Sequence, residues 1–583
     1  MIRHKHKERG SALIISVAII ATIAVWVLTA TNRSQNVARL AQRSRAHSNA
    51  TAAALGCLDV AYAGWRQVGR TSGTYATGLP TTSFTSIPAP TASNFPDIPG
   101  ITISNYNVKA VDPQLNALAT TSTAPTPATG QNATTTSYYY LASVDVAVPV
   151  LKGNVTVKMR RVFEKQNISP WNYAIFYDND LEMHPGPLQS VTGWVHTNGS
   201  LFSGHDTLTL RSRTTFTGDW SIGFMPGENT HPEIPKSPYI PEDQPPAPTS
   251  TQAIFGIDKT VFSSTNGNTA SGYRELIEVP VTGTDPMASF RYYNQAGVRI
   301  LIDASNVLTI MNGTGTVINS SSTGANLALF NTFKNAITTN QSLQDNRETA
   351  AIRVASLDVG AITTAVNAGT LTGSTYNGVV YLSDTSGTNT VKRAIRLRNG
   401  ASLPPAGLTV ASNNAVLVQG DYNTGSTATT KPLSNSGDPT KPTITGYTRR
   451  PAAVLGDAVM ILSNAWLDAN AASGMSSRIA TNTTVNAAIV AGIVPSGTSG
   501  TNYSGGAENF PRFLEDWSGG KTFTYYGSLV QLWSSQQHTG TWGKSNVYSP
   551  PTRHWYFDPN FLTNPPPGTL TTTNFNKQRW YIE

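Results

Sequence analysis

The sequence predicts a mainly β protein that opens with a long α-helix. Three observations point there. An uncharged apolar run, Ser11 to Ala30, is followed by helix-compatible sequence with no proline before Pro80. Beyond that lie many short apolar runs punctuated by Gly and Asn. Charged residues make up only 13% of the 583, with 48 Gly and 36 Pro, a composition suited to strands, turns and an uncharged polar surface.

The first 70 residues divide into a basic leader, 1–10, with Arg3, Lys5, Lys7 and Arg9, and a helix predicted over 11–70. At about 1.5 Å per residue, a 20-residue run such as Ser11–Ala30 spans the ~30 Å hydrocarbon core of a bilayer. Leu55, Leu58, Tyr62 and Trp65 then recur at helical spacing. The helix therefore outlasts the membrane by half its length. The basic start places its beginning in the cytoplasm and the bulk of the chain outside. A plain uncleaved signal anchor fits the same run. A cleaved signal has only Leu28-Thr29-Ala30 to offer as a cutting site.

Residues 71–138 are rich in Thr, Ser, Ala and Pro and are read as a spacer, most clearly from Asn116 to Ser137. A first β-rich region follows at 139–225. It includes two strands about Lys152-Gly153-Asn154 and rung-like runs from Tyr173 to Leu210. Residues 226–250 form an extended arm with eight prolines between Pro226 and Pro248. A second β-rich region, 251–503, carries strand patterns at Val379–Leu382, Ala394–Leu397, Leu408–Val410, Ala415–Val418, Ala452–Leu462 and Val485–Val490. It is interrupted by short helices at Asn326–Ile337 and Val359–Ala368. Residues 504–583 are read as an aromatic- and proline-rich C-terminal cap. The exported part is expected to be a parallel β-helix or solenoid, with a β-sandwich as the alternative. The irregular spacing of its runs supports no strict repeat.

Charge separates the helix from the rest. Residues 1–70 hold 10 Lys+Arg and 2 Asp+Glu, so the remainder balances at 31 against 31. The basic pI near 9.3 thus belongs to the helix and argues against a nucleic-acid partner. Arg33, Arg39, Arg43 and Arg45 are read as lipid-headgroup contacts, as partners for acidic neighbours, or as a polar helix face. Cys57 stands alone, so no intrachain disulfide forms, and it is read as a small buried hydrophobe.

Arg9-Gly10-Ser11-Ala12-Leu13-Ile14 resembles the junction of a type IV prepilin, in particular the PilX-type minor-pilin N-terminal domain. The resemblance implies cleavage by a prepilin peptidase between Gly10 and Ser11, N-methylation of the new terminus, and packing of the helix with other pilins or pseudopilins. Ser at the first position after the junction, and Ile15 where major pilins carry Glu, depart from the major-pilin pattern and point to a minor or tip role. The runs Tyr173–Gly204, Asp345–Leu357 and 504–568 resemble segments of large bacterial pilus-assembly proteins. Together these imply the inner membrane by the helix, with the bulk periplasmic or extracellular.

Chemistry signals are sparse. His184, His196, His205 and His231, with Asp178, Asp180 and Glu182, could hold a metal, but their spacing matches no standard site and hydrogen-bonded turn residues are the favoured reading. No nucleophile elbow, P-loop or kinase set is present, so neither an enzyme nor a cofactor is expected. Glu508, Arg512, Glu515, Asp516 and Lys521 are read as a salt-bridged surface helix. Trp517, Trp533, Trp542 and Trp555 are candidates for stacking on a surface carbohydrate, against the plainer reading that they cap the coil. A membrane-anchored, β-helical carbohydrate-active enzyme and a plain surface protein are the alternatives to the pilin reading.

Overall fold

With no proline to break it, the first element is a single helix, Lys7–Thr71, of 65 residues. The computed structural model describes residues 7–71, 87–112, 114–116, 135–168, 171–226, 235–241, 245–249, 251, 254, 272–280, 285, 288, 290–373, 375–386, 391–425, 449–496, 504–542, 546–562, 564–570 and 572–583. Residues 1–6 of the basic leader, His231, and the core of the predicted spacer at 117–134 lie outside these. The chain forms two compact units. One comprises the chain up to Ala128 with Thr135–Asn167 and Thr573–Glu583, and the other runs from Ile168 to Thr572.

In the first unit the helix changes character at Ala46. From Ser11 to Arg45 every residue is exposed. From Ala46 onward a stripe at helical spacing is buried: Ala46, Ala50, Ala53, Ala54, Cys57, Leu58, Ala61 and Trp65. The small alanines let the helix lie close to a four-stranded sheet in the order Thr102–Val111, Thr135–Pro149, Asn154–Ile168, Thr572–Ile582. The first two strands pair antiparallel. Trp65 is fully buried, its ring centroid 5.2 Å from Tyr140, 5.3 Å from Phe163 and 5.1 Å from Phe575. Burial pushes the Cys57 thiol up to about 11, which leaves it unreactive.

Two readings need correcting here. The strand Thr102–Val111 lies inside the stretch taken as spacer, and the next strand begins at Thr135. The last strand, Thr572–Ile582, is no cap. It completes the first unit's sheet, where Tyr62 Oη donates to the Phe575 carbonyl at 2.6 Å and Lys577 pairs with Asp59 at 2.6 Å. A local pattern shows that a segment is a strand, and it carries no information on which distant sheet will take it.

The second unit is built largely of parallel ladders. From Val379 onward, consecutive strands alternate between two sheets. Val379–Asp384, Leu408–Ala411, Ala452–Gly456, Thr483–Ile493 and Thr522–Ser534 stack in one sheet. Arg393–Arg398, Ala415–Gln419, Val459–Leu462 and Pro511–Phe513 stack in the other. The first of these sheets is covered on both faces. Leu382, Val410, Val454 and Ile489 face the interior between the sheets, while Tyr381, Ala411, Leu455 and Val490 pack under Tyr273, Leu276, Ile277 and Tyr292. Such strands read as continuous apolar runs, which is why the sequence revealed them. The predicted helices appear as Gly324–Ala336 and Val359–Asn367, the latter capped by Asp358, whose carboxylate accepts the Ala361 N–H.

Residues 175–221 form a second set of parallel ladders with a short, regular step. Ile175 pairs with Val195 and Val195 with Thr214, offsets of 20 and 19 residues. Leu181 pairs with Leu201 and Leu201 with Trp220 at the same offsets. At one corner Asp178 accepts from Asn198 Nδ2 at 3.0 Å and Asp180 accepts from the Ser200 N–H at 2.7 Å. Gly199 is required there, because a Cβ would lie 2.4 Å from Asp180 Oδ1 and 2.5 Å from its backbone nitrogen. This set joins the larger one through Leu529, which pairs with Ile175. In space, therefore, the early strands Ile175–Tyr177, Val195–Thr197, Thr214–Phe216 and Ala247–Pro248 continue the stack beyond the late strand Thr522–Ser534.

These packing relations make two expectations. Trp65→Ala should cost the first unit about 3–5 kcal/mol, as large aromatic deletions do. Truncation before residue 572 should likewise destabilise the first unit. In chemical denaturation of the detergent-solubilised chain, both changes should shift the first unit's transition and leave the second unit's in place. Coincident shifts of both transitions would refute the division.

Candidate functional site

Two places stand out, one in each unit. In the first unit it is the exposed half of the long helix. Leu13, Ile14, Ile15, Val17, Ile19, Ile20, Ile23, Val25, Trp26, Val27 and Leu28 are all more than half exposed. By length and composition this helix can cross a membrane, and none of its most apolar window is buried. Ser16, Thr22, Thr29 and Thr31 donate to carbonyls four residues back, so these four hydroxyls are satisfied within the helix itself. Gly10 and Ser11, the residues of the predicted processing junction, lie in this same helix.

In the second unit a knot of buried charge underlies a polar cleft of about 290 Å³, lined by Asp384, Lys392, Arg393, Asn414, Gln536 and Gln537 among others. Glu348 pairs with one of the lining residues, Lys392, at 2.6 Å and with Arg512 at 3.1 Å. Burial works to raise the Glu348 carboxyl, but His538, Arg512 and Lys392 hold it down at about 2. Asp457 is fully buried. It receives Arg274 at 3.1 Å and the N–H groups of Gln536, Gln537 and His538 at 2.8, 3.0 and 3.0 Å. The cleft's own amides are largely engaged with one another: Asn414 Nδ2 donates to Gln537 Oε1 at 3.1 Å, and Gln537 Nε2 to the Asn413 carbonyl at 2.9 Å.

The tryptophans proposed for sugar stacking are not arranged for it. Trp517 and Trp555 belong to the main core, Trp533 lies in the covering cluster, and Trp542 is half-buried, 6.0 Å from the Tyr548 ring. Buried faces cannot receive a ligand, so the carbohydrate assignment is withdrawn for Trp517, Trp533 and Trp555. The aromatic density of the segment reflects the core it fills.

The predicted surface helix around 508–521 is also absent. Ala507–Asn509 is a single turn and Pro511–Phe513 is a strand. Arg512 reaches Glu348, far back in the chain, and Glu515 accepts both the N–H and the hydroxyl of Ser463 at 2.6 Å. Asp345-Asn346-Arg347-Glu348 is a buried turn between two strands, in which Asp345 accepts the N–H of Arg347 at 2.8 Å and of Glu348 at 3.1 Å. Sequence reasoning noticed these charges and could not see that they meet one another.

The histidines are tied into the ladders. His196 bonds Thr215 Oγ1 at 2.8 Å and Asn198 Oδ1 at 3.0 Å. His205 bonds Thr207 Oγ1 at 2.8 Å, and His184 lies 3.8 Å from Glu182. Asp178 and Asp180 serve as corner ties. Among the described residues no group of three His, Cys, Asp or Glu is placed to hold a metal.

No family model matches the chain, and no curated protein does. Among solved structures, the competence-associated pilin ComZ from Thermus thermophilus is similar over 92% of this chain and 97% of its own, with 10% identity and a TM-score of 0.29. A likeness at that level fixes neither fold nor role.

Glu515 gives this unit a pH dependence of defined sign. Burial pushes its carboxyl up to about 7, against the opposing pull of Ser463 and Arg478. A raised carboxyl keeps its proton in the folded state after the unfolded chain has lost it. Its contribution is therefore intact below about 4.5 and declines as pH rises toward 7. The second unit's thermal midpoint should fall over that interval, and Glu515→Gln should flatten the fall. An unchanged slope in the variant would assign the dependence elsewhere.

Proposed function

We propose that the chain is a minor-pilin or pseudopilin-type subunit of a type IV pilus or type II secretion assembly. The observation that supports this best is the division of one continuous helix at Ala46. Its first half is exposed, apolar over Ser11–Ala30 and cationic beyond, and its second half is packed on a sheet whose first two strands pair antiparallel. Such a helix has two environments to satisfy. Before assembly, Ser11–Ala30 sits in the inner membrane with the β-rich bulk outside. After extraction, the same apolar surface is buried against the helices of other pilins. A prepilin peptidase cuts between Gly10 and Ser11 and the new amine is methylated. We read the alternating ladders of the second unit as a coil of the β-helix kind. Its bulk would crowd lateral neighbours along a thin filament, which favours the tip. The role is assembly and recognition, and enzymatic turnover forms no part of it.

The test is the mass of the N-terminal peptide of protein purified from its own host. The expected peptide starts at Ser11 with a methylated amine, and the protein should appear in the filament fraction sheared from cells. A start at Met1, or near Thr31, would overturn the pilin reading and leave an anchored or secreted β-rich protein.

A further inference from the structure

We propose that the groove between the emerging helix and the hairpin turn at 150–153 is a docking surface for anionic phospholipid headgroups. It rests on the membrane-spanning part of the reading above and not on prepilin processing. A chain starting at Met1 would leave it standing.

The groove has a volume of about 380 Å³ and is lined by Asn36, Arg39, Leu40, Gln42 and Arg43 of the helix and by Val150, Leu151 and Lys152 of the turn. The turn is fixed by the Val150 N–H donating to the Gly153 carbonyl at 2.9 Å, with Gly153 at a φ of +86° that favours glycine. The lining thus contains three cations and no acid. Along the helix, no Asp or Glu occurs between Glu8 and Asp59. Arg39 and Arg43 stand four residues apart on one helix face, an arrangement of like charges that destabilises a helix unless an anion neutralises it. Lys152 adds a third positive charge from the neighbouring turn.

Apolar groups share the site. Leu40 is 67% exposed and Leu151, at the tip of the turn, is 78% exposed. A purely aqueous anion has no use for these side chains, whereas a phospholipid offers a phosphate beside a glycerol and acyl region. Position agrees with this. Arg39 lies nine residues past Ala30, or about 13 Å along the axis. The interfacial layer extends about 5–8 Å beyond the hydrocarbon core. Helical side chains lean toward the helix N-terminus, here toward the bilayer, so Arg39 reaches back to the headgroups while Arg33 lies among them, and Arg43, about 20 Å along the axis, acts on them through its field. Attraction to an anionic surface persists over a Debye length of about 8 Å at physiological salt.

The test uses the full chain in mild detergent, with mixed micelles carrying phosphatidylglycerol or phosphatidylcholine, and native mass spectrometry to count retained lipid. The wild-type chain should retain phosphatidylglycerol in strong preference. R39Q/R43Q/K152Q should lose roughly a hundredfold of that preference, about fivefold per cation, while R39K/R43K should keep most of it. All three side chains are exposed, and an unchanged thermal midpoint confirms folding. Should the triple variant fail that check, the R39Q single variant carries the same comparison. Equal retention by the triple variant, or no preference between the two lipids, would overturn the proposal. Displacement of the lipid by millimolar inorganic phosphate would overturn it in favour of a free-phosphate site. Unchanged lipid retention with loss of a co-purifying acidic envelope protein would overturn it in favour of a protein partner.

Discussion

The second unit depends on what strand Thr522–Ser534 pairs with. One edge takes Thr483–Ile493 along its whole length. The other edge is shared, with Thr552–Phe557 on its first half and Ile175–Tyr177 on its second. The strand thereby joins the ladder that begins at Val298 to the one that begins at Ile175, and the order of the stack in space differs from the order of the chain. Parallel neighbours cannot be linked by tight turns, so each contact of this kind closes a long loop. The entropic cost grows only slowly with loop length, which makes the Leu529–Ile175 junction thermodynamically tolerable. Kinetically it favours late formation, since non-local pairing must wait for the strands it unites.

That arrangement explains what could and could not be read from the sequence. Strands such as Ala452–Gly456 and Val459–Leu462 are buried on both faces and announce themselves as apolar runs. The helix from Ser11 and the insertion helices are likewise visible, because a 3.6-residue period and an absent proline are local properties. Pairing is not local. The offsets between stacked strands, from Val379 to Thr409, Leu408 to Ala452, Ala453 to Ala488 and Ile489 to Leu529, are 30, 44, 35 and 40 residues, so no period survives. The regular 19- and 20-residue steps near 175–221 escaped notice for a different reason. Their strands are two to four residues long, too short for alternation to register. The fate of the four tryptophans was equally hidden, since a ring that fills a core and a ring that binds a sugar have the same spelling.

The buried charges show the same limit at the scale of side chains. Glu348 with Arg512 and Lys392, and Asp457 with Arg274, are drawn from strands and turns far apart in the chain. Ion pairs of this kind add little net stability, because desolvation consumes most of the attraction, yet removing one partner strands the other at a cost of several kcal/mol. Their effect here is to fix which segments meet. Asp457 accepts three consecutive backbone N–H groups immediately after the hub strand, so the chain leaves that strand in one direction only.

The long helix is the counterpart of that rule, a segment whose first half the described residues of its own unit leave uncovered. From Ala46 onward its alanine stripe and Trp65 are answered by the sheet. Among the described residues none of its own unit covers the exposed Ile and Leu side chains from Leu13 to Leu28, and an acid-free stretch leaves its arginines unbalanced. An aqueous surrounding would satisfy the arginines and not the apolar run. A hydrocarbon surrounding would do the reverse. The two requirements occur in sequence along one axis, apolar over Ser11–Ala30 and cationic from Arg33 to Arg45, and a bilayer presents its core and its anionic surface in that same order. Any later environment, including a bundle of neighbouring helices, must reproduce that order: apolar contact first, then negative charge about one to four helical turns beyond it.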